Sequence, residues 1–235
     1  MKGAVFLAVM GFSAYSLLAQ DADLFRVKSG KTVEETIPVV QQYRYATFRN
    51  GNVSFYNGST ATARLNYNIL LGEMQFIDIT GDTLSLAEEH TIRYIRIGEN
   101  TFYYDPRYGY VEVVAEYPAV RLGRQPSFLA VLKEKKSAYE QSTGVSSIRS
   151  YNSYATGNSR LQKLDPKGDV LVAKQVTYFL VDHNHRIHRA SKSSLMKLFS
   201  RQKRVIGDYL KAEAIDFDQE EDLRQLLQFC SALDS

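Results

Sequence analysis

The sequence predicts a mainly β protein, an antiparallel meander, small barrel or sandwich, with a C-terminal α-helical subdomain and an α+β architecture overall. Three observations predict it. Short apolar–polar alternating runs, with turn residues between them, recur from Tyr43 to Leu132, which is the pattern of antiparallel strands. Tyr (16) and Phe (12) are abundant while Trp is absent, and aromatic side chains favour pleated surfaces. Apolar residues adopt a spacing of three and four only near the C-terminus, as an amphipathic helix requires. No long helical pattern separates the early strands, which disfavours a parallel βαβ arrangement.

The chain opens Met1-Lys2-Gly3, and residues 4–18 then carry no charge and are rich in Phe, Leu, Val and Met. A polar break follows at Gln20-Asp21. This order is that of a secretory signal peptide, and the apolar run is shorter than the roughly 20 residues that span a bilayer as a helix. Cleavage is predicted after Ala19 or Gln20. No Cys stands at that junction, so no lipid anchor is expected. No later segment is long and apolar enough to span, so the mature chain is expected to lack a transmembrane segment. It is placed in the periplasm, or at the outer membrane or cell surface. The predicted organisation is a signal peptide over 1–20, an antiparallel β domain over 21–136, a flexible Ser/Thr/Gly-rich linker or loop over 137–163, and a β-hairpin plus helices over 164–235.

Within the β domain, residues 43–49 read as a strand entering Asn50-Gly51, a tight-turn dipeptide. Residues 53–56 follow, then Asn57-Gly58, a second such turn. Ala63, Leu65 and Tyr67 alternate with Arg64 and Asn66. Residues 74–79 end at Thr80-Gly81-Asp82, and 92–97 end at Gly98. Val111, Val113, Ala115 and Tyr117 alternate with Glu112 and Glu116, a period of two that marks a strand. A strand pair resumes at 170–172 and 176–181, returning through 186–189. Helical stripes follow at Leu195, Met196 and Phe199, then at Val205, Ile206, Tyr209 and Leu210. Asp218 with Glu221 reads as an N-cap and capping box. Leu223, Leu226, Leu227 and Cys230 then form one face, leaving Glu220, Glu221, Arg224, Gln225 and Gln228 for solvent. Short helices need a partner to bury such stripes, so these are expected to pack together and on the last hairpin.

Removing Lys2 with the signal lowers the net charge from +3 to +2, too near neutral to imply a nucleic-acid partner. The single Cys230 has no disulfide partner within the chain and reads as a buried thiol. His183, His185 and His188 lie in Asp182-His-Asn-His-Arg-Ile-His188. His183 and His185 are weak candidates for zinc or copper. The segment reads better as a turn, with Arg186 and Arg189 repelling a cation, so no metal and no cofactor is expected. No Gly-x-Ser-x-Gly elbow, phosphate-binding Gly loop or His-Glu-x-x-His helix occurs. The acids are scattered, with Asp78 and Asp82 flanking one turn. Basic residues run from Arg186 to Arg204, and acids dominate from Asp208 to Asp222. The basic run would suit anionic lipid or polysaccharide, but the preferred reading pairs the two blocks across a helical hairpin. The densest aromatic stretch, from Tyr103 to Tyr110, contains a turn at Asp105-Pro106 and Gly109. Tyr104, Arg107, Tyr108 and Tyr110 are its candidate ligand-binding residues, since Tyr offers a broad rigid face and a polar tip.

Val53-Ser-Phe-Tyr-Asn-Gly58, Ala63-Arg-Leu-Asn-Tyr-Asn68, Glu73-Met-Gln-Phe-Ile-Asp78 and Gly81-Asp-Thr-Leu84 resemble a β-module of uncharacterised exported proteins of Bacteroidota. Residues 191–199 and Ile215-Asp-Phe-Asp-Gln-Glu-Glu-Asp-Leu223 resemble the helical tail of the same proteins, and Leu18-Ala19-Gln20 is similar to signals common in that phylum. The resemblance carries no activity and no catalytic residues. The strand rhythm also resembles a small SH3-like or PRC-type barrel, which is an analogy of fold alone. The expected function is a non-enzymatic binding or accessory protein of the cell envelope for a protein or glycan partner. The alternative is a secreted hydrolase using the scattered carboxylates.

Overall fold

The computed structural model describes residues 24–131 and 170–233. The expected signal peptide and the expected linker over 137–163 lie outside the described residues. Eleven strands among the described residues form one sheet, antiparallel at every pairing. They are β1 (Leu24–Val27), β2 (Arg49–Phe55), β3 (Thr60–Asn68), β4 (Glu73–Ile77), β5 (Thr83–Ser85), β6 (Ile92–Ile97), β7 (Asn100–Asp105), β8 (Gly109–Glu116), β9 (Arg121–Val131), β10 (Val170–Val181) and β11 (Ile187–Arg189). The order is β1-β10-β9-β8-β7-β6-β2-β3-β4-β5, with β11 beside β10. Two meanders, β2 to β5 and β6 to β10, are thus joined through the β2–β6 pair. The hairpin strand β10 is one uninterrupted strand rather than two short ones, because it pairs with β9 from Leu171 to Val181.

The sheet is open but strongly curled. β3 and β8 are four places apart, about 19 Å in a flat sheet at the usual strand spacing, yet the Tyr67 and Tyr110 rings are 6.1 Å apart. The concave side encloses a core that includes Val53, Leu65, Met74, Ile95, Phe102, Phe128 and Val172. The end strands β1 and β5 do not pair, so the curl does not close into a barrel. Two irregularities favour bending, since an extra residue raises local twist. One lies where Ser54 faces Tyr94 and Phe55 faces Ile92, leaving Arg93 over. The other lies where Val113 faces Gly123 and Ala115 faces Leu122, leaving Val114 over.

Two short helices, α1 (Val33–Thr36) and α2 (Val39–Gln42), precede β2. Thr32 and Glu35 form a reciprocal capping box, which satisfies orphan amide groups at the start of α1. Val33 and Ile37 insert into the concave core. Residues 43–49 are not the expected full strand: only Tyr43 makes an isolated bridge, to Asn68, before β2 begins. Nor is Asn50-Gly51 a turn. Both lie inside β2, and a Cβ on Gly51 would sit 2.7 Å from the Arg96 carbonyl oxygen and 2.8 Å from a Leu65 methyl. The glycine there permits close approach of strands rather than a reversal. Asn57-Gly58 and Gly81 are turns as expected, with Gly58 at φ +88° and Gly81 at φ +93°.

Three helices follow the sheet: α3 (Lys192–Leu198), α4 (Lys203–Ala212) and α5 (Glu220–Ala232). Leu195, Phe199, Ile206, Leu223, Leu226, Leu227 and Cys230 are buried together against Leu122, Tyr178 and Leu180. The helical stripes therefore pack as their spacing requires. The N-cap of α5 is Gln219, without a side-chain cap bond, rather than Asp218. The acids around it serve the preceding loop instead: Asp222 accepts from the Asp216 amide at 2.8 Å and Asp216 from the Asp218 amide at 2.9 Å. No ion pair among the described residues joins the basic run 186–204 to the acids of 208–222; Lys211 pairs with Asp208 inside α4. Alternation along β10 sends Phe179 and Val181 to the opposite, convex face. There they join Tyr103, Val111 and Ile187 in a small cluster that contains no helical residue.

Candidate functional site

Two regions of the described structure gather charged and aromatic side chains. The first is a cleft of about 320 Å³ where β7, β8 and β9 meet α5, lined in part by Glu99, Asn100, Glu112, Arg124, Glu220 and Arg224. Glu112 is 1% exposed, although it holds a polar position in the apolar–polar alternation of β8. Both faces of that strand are covered: Val111 packs into the convex cluster, and Glu112 points inward to the edge of the concave core. Arg44 donates to the Glu112 carboxylate through Nε at 2.8 Å and Nη2 at 3.0 Å. Arg124 donates from the facing strand at 3.2 Å, and Asn100 also donates. Burial pushes the Glu112 carboxyl up, but the two guanidinium groups together outweigh it and hold the acid below its ordinary value.

The chain of charges continues into α5. Arg124 lies 3.7 Å from Glu220, which pairs with Arg224 at 2.7 Å. Arg224 Nη2 donates at 2.8 Å to the carbonyl of Val114, the extra residue of the β8 irregularity. Glu220 and Arg224 are therefore not simply left for solvent; they tie the last helix to the sheet. Asn66, a polar position in the alternation of β3, is buried and exchanges hydrogen bonds with the Tyr45 backbone at 3.1 and 2.9 Å. Burial and the Glu112 charge push the Tyr45 phenol up to about 12. Glu112, Arg124, Glu220 and Arg224 are thus linked by ion pairs along the cleft, with Arg44 joined to them through Glu112.

The second region is the convex face of β6 to β9. Tyr94 and Tyr103 meet edge to face at 6.4 Å, and His185 stacks on Tyr103 at 4.8 Å with an interplanar angle of 19°. Guanidinium groups lie over three rings: Arg107 over Tyr108 at 5.1 Å, Arg96 over Tyr94 at 6.0 Å and Arg121 over Tyr103 at 6.0 Å. Such contacts orient the arginine while leaving its donor edge available. The β6 irregularity makes this face more basic. Ile92, Ile95 and Ile97 point inward, and the extra residue lets Arg93 and Tyr94 both turn outward. Arg93 is exposed and close enough to Tyr103 and His185 to bear on their ionisation.

No family model, curated protein or solved structure matches this chain.

The convex face unites parts of the two segments that the sequence singled out. The β7–β8 tip divides its candidates. Arg107, 67% exposed and paired with Asp105 at 3.1 Å, lies at the turn, and Tyr108 packs 5.0 Å from Phe179 of the convex cluster. Tyr110 is buried in the concave core, and Tyr104 leans on it at 5.0 Å. Strand alternation thus turns Tyr104 and Tyr110 away from the face that holds Tyr103. His183 is exposed, whereas His185 occupies the left-handed region at φ +61° and stacks on Tyr103. Asp182 spends one oxygen on the Asn184 and Arg186 amides and the other on His188. The segment is a turn that separates its histidines, and no group of three or more His, Cys, Asp or Glu among the described residues is placed to hold a metal ion. Burial, then Arg121 and Arg93, lower the His185 imidazole below its ordinary value, and its Nδ1 is buried without a hydrogen-bond partner.

Sequence reasoning missed Arg93, Tyr94, Arg96 and Arg121. One signal for the first three exists: the β6 isoleucines are spaced by three and then two, and the extra position marks an irregular strand.

Proposed function

We propose that this chain is an exported, non-catalytic binding protein of the cell envelope, and that the convex face of β6 to β9 meets its protein or glycan partner. The observation that carries this reading is the set of three arginine–tyrosine contacts on one sheet face. Aromatic and arginine side chains supply contact area and directed hydrogen bonds at little entropic cost. The carboxyl groups with a resolved shift, Asp78, Asp105, Glu112 and Asp182, all lie below their ordinary values. That runs against these four serving as the protonated acid of a carboxylate-pair hydrolase. The exported location is argued from the charged, apolar and polar order of residues 1–21. Crosslinking and pull-down from the native envelope test the reading. A partner captured by the natural chain and lost from Tyr94→Ala supports it; capture of no partner, or one indifferent to that change, overturns it.

A further inference from the structure

The proposed binding role leaves the chemistry of the ligand open, and the charge arrangement of the convex face narrows it. Arg121 has Glu116 at 3.6 Å and Arg107 has Asp105 at 3.1 Å. Asp182 is engaged by its own turn and His188. Arg93 and Arg96, by contrast, are exposed and form no ion pair among the described residues. They flank Tyr94, a partly exposed ring. The irregularity in β6 is what brings Arg93 to this side; a regular strand would send Arg93 and Tyr94 to opposite faces. Two uncompensated guanidinium groups beside an aromatic ring form a surface complementary to negative charge.

We infer that this face binds an anionic polysaccharide, with Arg93 and Arg96 taking its acidic groups and Tyr94 supporting a sugar ring. The inference rests on the binding role proposed above and adds the class of ligand. The shape of the face selects a polymer. Arg93 and Arg96 are exposed and Tyr94 is partly exposed on this convex face, so a small anion would remain largely hydrated, whereas a chain can lie across Arg93, Tyr94 and Arg96 and reach Arg121. A sugar ring suits Tyr94 because the phenol offers an apolar face and a polar tip. An acidic protein would share the charge requirement, and the test separates the two.

The experiment measures binding of the full chain to immobilised polygalacturonate, dextran sulfate, uncharged dextran and poly-glutamate, at low and moderate salt. The expected result is binding to one or both anionic polysaccharides, weakened by salt, and none to dextran. Polygalacturonate alone would indicate carboxylate recognition, dextran sulfate alone sulfate recognition. The double variant Arg93→Ala/Arg96→Ala is expected to bind about tenfold or more weakly, as loss of charge-assisted bonds implies, with an unchanged melting curve because both side chains are exposed. A control double variant in the basic run, Arg201→Ala/Lys203→Ala, is expected to bind like the natural chain. The inference is overturned by binding to none of the polysaccharides, by tighter binding to poly-glutamate, or by equal losses in the two double variants. If envelope pull-down still yields a Tyr94-dependent partner in any of those cases, the binding role stands and only the ligand class fails.

Discussion

Glu112→Gln tests whether the ion-pair chain across the cleft holds the molecule together. The substitution keeps volume and removes charge. In the native protein the Glu112 carboxylate accepts from Arg44 at 2.8 and 3.0 Å and from Arg124 at 3.2 Å. A Gln retains one accepting oxygen and turns an NH₂ group toward guanidinium donors. Removing one partner of a buried ion pair costs about 3–5 kcal/mol. Arg44 and Arg124 are each nearly 30% exposed and recover part of their hydration, so the lower end, about 3 kcal/mol, is expected. For a chain of this size that is roughly a 6–12 °C fall in Tm. The folded Glu112 carboxyl lies below its ordinary value. Its stabilising contribution is therefore complete above the unfolded value of about 4.3 and is lost as pH falls through the lower folded value. Thermal unfolding followed by circular dichroism at pH 7, 5 and 3.5 measures this. The gap between natural chain and variant is expected to be full at pH 7 and smaller at pH 3.5. Equal melting temperatures at pH 7, or a gap that widens in acid, would refute the argument.

Leu227→Ala is expected to cost about 2–5 kcal/mol, because Leu227 is fully buried between α5 and the sheet; an unchanged melting curve with lost partner capture would make α5 a docking helix instead. Gly51→Ala is expected to lower Tm more than Gly58→Ala. The first methyl would meet the Arg96 carbonyl at 2.7 Å while the second enters open space and bears only the strain of φ +88°, about 1–2 kcal/mol; the reverse order in paired melting curves would contradict the packing. N-terminal sequencing of the protein isolated from its source is expected to begin at Gln20 or Asp21, and an intact Met1 in the cytosol would end the export reading.

The local features of this fold were legible in the sequence wherever one short segment decides them. The stripe of Leu223, Leu226, Leu227 and Cys230 specifies a helix with one buried face, because a turn of helix repeats every 3.6 residues whatever lies beside it. The turns at Asn57-Gly58 and Gly81 follow from the ease with which glycine takes positive φ. Thr32 and Glu35 likewise spell a capping box within four residues. Asn50-Gly51 has the same composition as Asn57-Gly58, yet it lies within a strand, because Leu65 and the Arg96 backbone close in on Gly51 from strands distant along the chain. Glu112 holds a polar position in the alternation of β8, yet the curl of the sheet brings Arg44 onto it across 68 positions and α5 covers the same region. The convex face divides in the same way. The irregular isoleucine spacing that turns Arg93 outward is written in six consecutive residues, whereas the stacking of His185 on Tyr103 requires β7 and the β10–β11 turn to meet. Periodicity and turn chemistry act within a few residues and survive in any surroundings. Which side chains become neighbours depends on strand register and sheet curvature, which arise only when distant segments pack.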